Sequence, residues 1–420
     1  MDLKDINLLD PDIFTEGVPH DWFTYLRNNA PVYKHPEPNG PGFWVITKHE
    51  DIGIVGRDPK TFSSAAKYGG VVGLEDPPTP EAKKELEEAA AIQGNMMLYM
   101  DPPDHTLYRK IVHDGFRPRM IWALEEKIRE RAVRIVEEAI AKGESDFVVD
   151  IAAEVPLQAI AELLGVPMED RHKLFDWSNR MIGSIDPEYA VSEEHVRNAQ
   201  VEMFMYAKEL AEERKANPRD DIVTTLLQAE VEGHSLSELD FNLFFLLLAV
   251  AGNETTRNAM SHGMAAFLDN PDQYQVLVED PSVIDLAVEE IVRWASPVMY
   301  FRRNVTQDTE IRGVPIPKGD KVSVWYISAN RDEDVFTNPF EFDIRRDHIA
   351  EPHVAFGHGQ HFCLGFNLAR LEIKVLFEEL TKRVTKIESV GDISRLRSNF
   401  IAGIKHLPVR FTDVRQPVGA

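Results

Sequence analysis

The chain has 420 residues, a single cysteine and a formal net charge of −24, from 70 acidic and 46 basic residues. One Cys cannot form an internal disulfide, which excludes a disulfide scaffold and fits a reducing, cytoplasmic setting. The acidic balance argues against a nucleic-acid or anionic-membrane partner.

Met1, Asp2, Leu3, Lys4 and Asp5 lack the basic start and apolar run of a signal peptide. The longest apolar run, 243–252, is half the roughly 20 residues a spanning helix needs. With no internal repeat and Pro and Gly spread throughout, one continuous domain over 1–420 is expected.

In chain order, 22–28 reads as a short helix, and 32–35 and 43–47 as strands around a Pro/Gly-rich turn. Residues 69–98 form a long, loop-rich stretch with a charged helical piece at 81–91, of the kind that serves as a lid or binding loop. From 106 to about 229 the period is mostly helical. At 125–142, Ile128, Ala132, Ile135 and Ala139 share one stripe. A long helix spans 237–269, opened by a Ser237/Asp240 capping box and closed by Asn270-Pro271. Another covers 285–295. Strands follow at 298–302, 309–311 and 322–327, then an irregular stretch over 330–362 and an amphipathic helix over 364–380. The class is mainly α with a small β portion, the β-containing parts lying at about 30–65 and 298–327.

Cys363 sits between a Gly-rich loop and that last helix. Amide N–H groups and the helix dipole there favour an anion and lower a thiol's pKa. Gly357, Gly359 and Gly365 permit close backbone approach to a flat or bulky object, and Phe356 and Phe362 can cover the sulfur. These are the needs of a thiolate bound to iron. Most lone cysteines are inert and buried. A zinc site built with His348, His353, His358 and His361 is a further alternative, although structural zinc sites usually supply paired Cys.

Three other groups stand out. Glu290 and Arg293 are helical neighbours at (i, i+3), and periodicity alone reads them as a solvated surface pair. Ala251-Gly252-Asn253-Glu254-Thr255-Thr256 interrupts the most apolar helix with poor helix formers, which flags a functional site. The plain alternative is a back-bonded Thr beside a solvated Glu. His105 and Arg109, at (i, i+4), put two cationic donors on one face, suited to a dianionic ligand.

The run Phe356-x-x-Gly-x-x-x-Cys363-x-Gly365 resembles the haem-binding loop of the cytochrome P450 family in its bacterial soluble form. Because other family motifs follow in order, the resemblance covers essentially the whole chain. It implies a P450 fold, with haem b between the long central helix and the Cys loop, and Cys363 as the axial thiolate. It assigns Ala251, Phe356, Gly357 and Gly365 to haem contact, and His105, Arg109, Arg302 and His361 to the propionate side. Glu254 and Thr255 become the acid and hydroxyl that relay protons during oxygen activation, with Thr256 an adjacent alternative. Glu290, Arg293 and Arg346 become a structural ion network that locks the Cys loop. Met96, Met97, Val298, Met299 and Phe301 fall on segments that line the substrate pocket.

The implied activity is O2-dependent hydroxylation of an apolar steroid, terpenoid or branched lipid by a monomeric enzyme. Two electrons would come from NAD(P)H through a ferredoxin reductase and a ferredoxin. The ferredoxin is expected to dock on a basic patch of Arg109, Lys110, Arg117, Arg119, Arg370 and Lys374. Peroxide-driven oxygenation is an alternative, although such members usually lack the acid–Thr pair. A non-catalytic haem or metal protein is another.

Overall fold

The computed structural model describes residues 1–219 and 221–415; the single domain expected over 1–420 therefore includes positions 220 and 416–420, outside the described residues. Helix dominates. The central helix, Glu238–Asp269, starts at the expected capping box: the Ser237 hydroxyl accepts from the Asp240 amide, and the Asp240 carboxylate accepts from the Ser237 amide. It packs against helices Glu154–Leu163, Arg171–Ile182, Glu193–Ala216 and Ile284–Ala295, and contacts Phe366–Arg383, which follows Cys363. Aromatic and aliphatic side chains of these helices, among them Phe241, Phe245, Met264, Ile291 and Leu376, form one continuous core.

Four of the expected strands join Phe62–Ser63 in one five-stranded sheet, while the fifth, Thr309–Ile311, pairs with Val314–Ile316 in a separate hairpin. The order in the five-stranded sheet is Val32–His35, Phe43–Ile46, Lys321–Trp325, Tyr300–Val305 and Phe62–Ser63. Phe43–Ile46 pairs parallel with Lys321–Trp325, and the other neighbours are antiparallel. A three-stranded sheet at the other end of the chain joins Glu144–Asp146, Pro408–Val414 and Val384–Ser389. The sequence reading did not anticipate it. Its strands are only 3–7 residues long, and Glu144–Asp146 pairs with a strand some 260 positions on, so no local period betrays them.

The loop 356–365 is seated by glycine contact against a neighbouring helix. A Cβ on Gly359, whose φ is +74°, would lie 1.9 Å from the Gly56 carbonyl oxygen, and one on Gly56 would lie 2.8 Å from the His358 carbonyl oxygen. Only paired glycines let the loop seat on helix His49–Arg57. The irregular segment that precedes this loop is held by Glu290, fully buried, which accepts from Arg293 Nε and Nη2, both at 2.7 Å, from Arg346 Nε at 3.2 Å and from the Asp343 amide at 3.0 Å. Arg293 also donates to the carbonyls of Asn330 and Pro339, and Arg346 to those of Thr337 and Asn338. The periodicity reading of a surface pair is therefore corrected. Glu290 and Arg293, off the apolar stripe of Ile284–Ala295, are buried under loop carbonyls and the Phe336 ring.

Candidate active site

One cavity brings most of the singled-out residues together. Its first wall is the middle of the central helix: Phe244, Leu248, Ala251, Gly252, Thr255 and Thr256. The opposite wall runs from Ala355 to Gly365 and includes Phe356, Gly357 and Cys363. His105, Arg109, Arg303 and His361 supply the polar part of the lining.

The Cys363 amide donates to the Phe356 carbonyl at 2.9 Å, and the Gly365 N–H is directed at the sulfur. The surface that Cys363 exposes looks into the cavity it lines. Burial pushes its thiol pKa up; the Gly365 amide and the guanidiniums of Arg109 and Arg370 act against that rise without overcoming it. The expectation of a lowered pKa is corrected, because desolvation outweighs the helix terminus. A Cβ at Gly365 would meet nothing within 4 Å, so this residue borders open space. Behind the loop, Arg370 stacks over Phe356 and Phe366, at 4.9 and 5.2 Å, while ion-paired to Glu289 at 2.5 Å.

On the central helix Thr255 Oγ1 donates to the Ala251 carbonyl at 2.7 Å. Glu254 turns away from the cavity. It pairs with Arg257, which also donates to Asn179 Oδ1 at 2.8 Å. Burial raises the Glu254 pKa even against the Arg257 charge, and Oε1 has no partner among the described residues. At the polar side, the rings of His105 and His361 lie 4.1 Å apart. His361 Nε2 meets the Met100 carbonyl at 3.1 Å, while His105 Nε2 is buried with no partner. Burial and then the Arg109 and Arg303 charges push His105 down to about 4.

Several expected positions lie elsewhere. Arg302 points off the cavity, donating to the Gly73 carbonyl and Asn304 Oδ1, and Arg303 lines the cavity in its place. Alternation along Tyr300–Val305 puts Phe301 and Arg303 on one face and Arg302 on the other. Met96 is buried outside the cavity and Met299 packs with Tyr300 and Trp325, whereas Met97, Val298 and Phe301 do line it. The sequence reading missed Phe116, Ile160, Phe244, Leu247, Leu248 and Tyr326. Stepping back in fours from Thr255 along the helix would have found Leu247.

The expected basic patch is thinned. Arg109 lines the cavity, Lys110 pairs with Glu232, Arg370 with Glu289 and Lys374 with Asp285. Among the described residues no cluster of three His, Cys, Asp or Glu side chains is placed to hold a metal ion, which removes the zinc alternative.

A family model described as Cytochrome P450 matches residues 278–385. A steroid C26-monooxygenase of Rhodococcus jostii (strain RHA1) is 46% identical over 409 residues, covering 96% of this chain and 84% of the relative. A linalool 8-monooxygenase of Pseudomonas putida is 41% identical, covering 96% and 98%. A Mycobacterium marinum cytochrome P450 solved in complex with pseudoionone superposes with a TM-score of 0.86 at 36% identity, covering 96% and 98%. The chain belongs to the cytochrome P450 family. This P450 is a monooxygenase, and no helix among its described residues is long and apolar enough to cross a membrane.

The family carries haem, and the cavity of this P450 fits it. Arg109 and Arg303 face the cavity with no carboxylate within ion-pairing distance among the described residues, and the unpartnered His105 Nε2 lies with them. Such a set calls for an anionic guest. The sulfur and the open space at Gly365 lie on the wall across from the central helix.

Proposed function

We propose that this P450 hydroxylates a C–H bond of an apolar small molecule, a steroid, terpenoid or branched lipid, using O2 and two electrons. The observation that carries this reading is the cavity lining. Beyond the polar cluster it is almost wholly hydrocarbon, from Met97, Phe116, Phe244, Leu248, Val298 and Phe301, with the Thr255 and Thr256 hydroxyls as the polar points on the central helix. A pocket of that kind orients a guest by shape and excludes water. The relatives named for a steroid, linalool and a methyl-branched lipid support the substrate class.

In this reading Cys363 ligates the iron of haem b as a thiolate, the form a metal-bound thiol takes. Arg109, Arg303 and His105 hold the propionates, and Ala251 and Gly365 leave room for the ring. Bound haem supplies the oxygen chemistry, with the thiolate favouring O–O cleavage. Thr255 Oγ1 holds a proton at the cavity surface. Glu254, whose pKa burial raises against the Arg257 charge, is the acid on the far side of the same turn.

The protein acts as one domain, a monomer in the cytoplasm. Electrons arrive from NAD(P)H through a reductase and a ferredoxin. The ferredoxin docks on Pro118–Trp122, which packs against the Cys-side helix and exposes Met120 and Trp122 beside Arg119. A spectral-shift titration of the haem-loaded enzyme with steroids, terpenoids, branched fatty acids and polar controls tests the reading. Saturable shifts and hydroxylated products are expected from at least one apolar class and none of the controls. Peroxide-supported turnover exceeding ferredoxin-supported turnover would reverse the assignment of the oxidant.

A further inference from the structure

A second cavity of about 260 Å³ shares no lining residue with the first. It is bounded by the segment Phe14–His20, by His262 of the central helix, by Trp294 and Ala295, by Arg331 and by the turn 395–403. Its polar lining consists of Arg331, Arg395, His20, His262 and Ser398, with no Asp or Glu among the lining residues.

Arg331 is only 3% exposed. One nitrogen, Nη2, donates to the Trp294 carbonyl at 2.8 Å, and the guanidinium lies 4.7 Å from the Trp294 ring. Nε and Nη1 have no partner among the described residues. Other buried arginines of this chain are answered by carboxylates: Arg27 by Glu333, Arg214 by Asp221, Arg257 by Glu254, Arg293 and Arg346 by Glu290. Among the described residues, two buried guanidiniums break that pattern, Arg303 and Arg331. Arg303 borders the cavity fitted to an anionic guest, and Arg331 presents the same unanswered charge to the second cavity. A buried cation without a counter-charge is costly, and water can satisfy its N–H groups but not its charge.

The surroundings reinforce the sign. The Arg395 and Arg331 charges act with burial to push His262 down to about 4, and burial with Arg331 and Arg27 pushes His20 well below its ordinary value. The His20 Nδ1 position is buried and unpartnered, free to donate as N–H. Ser398 Oγ accepts from the amides of Phe400 and Ile401 at 3.1 and 3.0 Å, and its own proton has no acceptor among the described residues. Unmet donors thus surround a space whose remaining walls include Phe14, Met299 and Ile327.

We propose that this cavity binds a small monovalent anion, a halide or an acetate-sized carboxylate, gripped by Arg331 with help from Arg395, Ser398 and His20. Arg331 is the one deeply buried cation of the lining and Arg395 is only half-buried, so a small singly charged guest among the apolar walls of Phe14, Met299 and Ile327 leaves the least charge unmet. The guest would tie the 395–403 turn to the central helix. That turn pairs by backbone with Pro297 and Met299, next to Val298 of the first cavity.

The test uses the haem-loaded enzyme at constant ionic strength, with bromide or acetate replacing gluconate, which is too bulky for the cavity. A saturable rise in the thermal midpoint is expected for at least one of the two probes, together with loss of that rise in Arg331→Met and a weaker apparent affinity in Ser398→Ala. A response to bromide alone identifies a halide site and to acetate alone a carboxylate site; both uphold the proposal. Because Arg331→Met can fail to fold, wild-type crystals soaked in bromide or acetate provide an independent measurement, with the anion expected beside Arg331 Nε and Nη1. No saturable response to either probe, or a response with only water at Arg331, overturns the proposal.

Discussion

Replacing Glu290 with Gln tests the reasoning about the buried ion network most directly. The substitution keeps the shape and removes the charge that two deeply buried guanidiniums, Arg293 and Arg346, share. Two independent estimates give the magnitude. Breaking a buried ion pair from one side costs about 3–5 kcal/mol. Separately, burial tends to raise the Glu290 pKa, but Arg293 and His348 override it and hold the carboxyl at about 2. Against roughly 4.3 in an unfolded chain, that difference is worth about 3 kcal/mol at neutral pH. The sign follows from the depressed value: the contribution is complete above the unfolded pKa and fades as pH falls toward 2. With an unfolding entropy of about 2.1 cal/mol/K per residue, a chain of this length loses roughly 3–6 °C of thermal midpoint. Differential scanning calorimetry of haem-loaded wild type and Glu290→Gln at pH 7 should show that drop, and the gap should narrow toward pH 3. A midpoint within 1 °C of wild type at pH 7 would refute the network's energetic role.

Other substitutions separate neighbouring residues. Arg303→Gln should weaken haem retention by about 10- to 100-fold, the worth of a charge-assisted hydrogen bond, whereas Arg302→Gln should leave it unchanged in a haem-transfer assay. Thr255→Ala should keep the substrate-induced spectral shift but lower product formed per NAD(P)H consumed, with Thr256→Val milder; equal coupling in both variants would remove Thr255 from the proton path. Gly359→Ala forces a Cβ onto the Gly56 carbonyl at positive φ and should cost about 1–3 kcal/mol, visible as a lower thermal midpoint and a diminished CO-bound Soret band. Arg119→Glu should slow reduction by ferredoxin at low salt, with the difference vanishing at high salt.

Much of the architecture was legible where local chemistry and tertiary context agree. The Ser237/Asp240 box marks the start of the central helix because capping is satisfied within four residues. The Cys363 loop announces itself through spacing of Phe, Gly and Cys. Arg293 defeated periodicity because loop carbonyls, contributed more than 35 positions away, bury the polar side of its helix. The Arg302 assignment failed for a reason already present in the sequence. Having placed Phe301 in the pocket, two-residue alternation required Arg303 beside it. Glu254 and Thr255 are adjacent letters, yet a helical step of 100° sends one to Arg257 and the other to the cavity.

The glycine contact that seats the loop 356–365 divides the molecule's labour. Gly56 and Gly359, which fix the path of the loop carrying the sulfur, lie outside the cavity lining, while the cavity walls Met97, Phe116 and Phe244 belong to other segments. On the proposed reading, substitutions at those walls should change which apolar guest is accepted while leaving the path of the Cys363 loop unaltered.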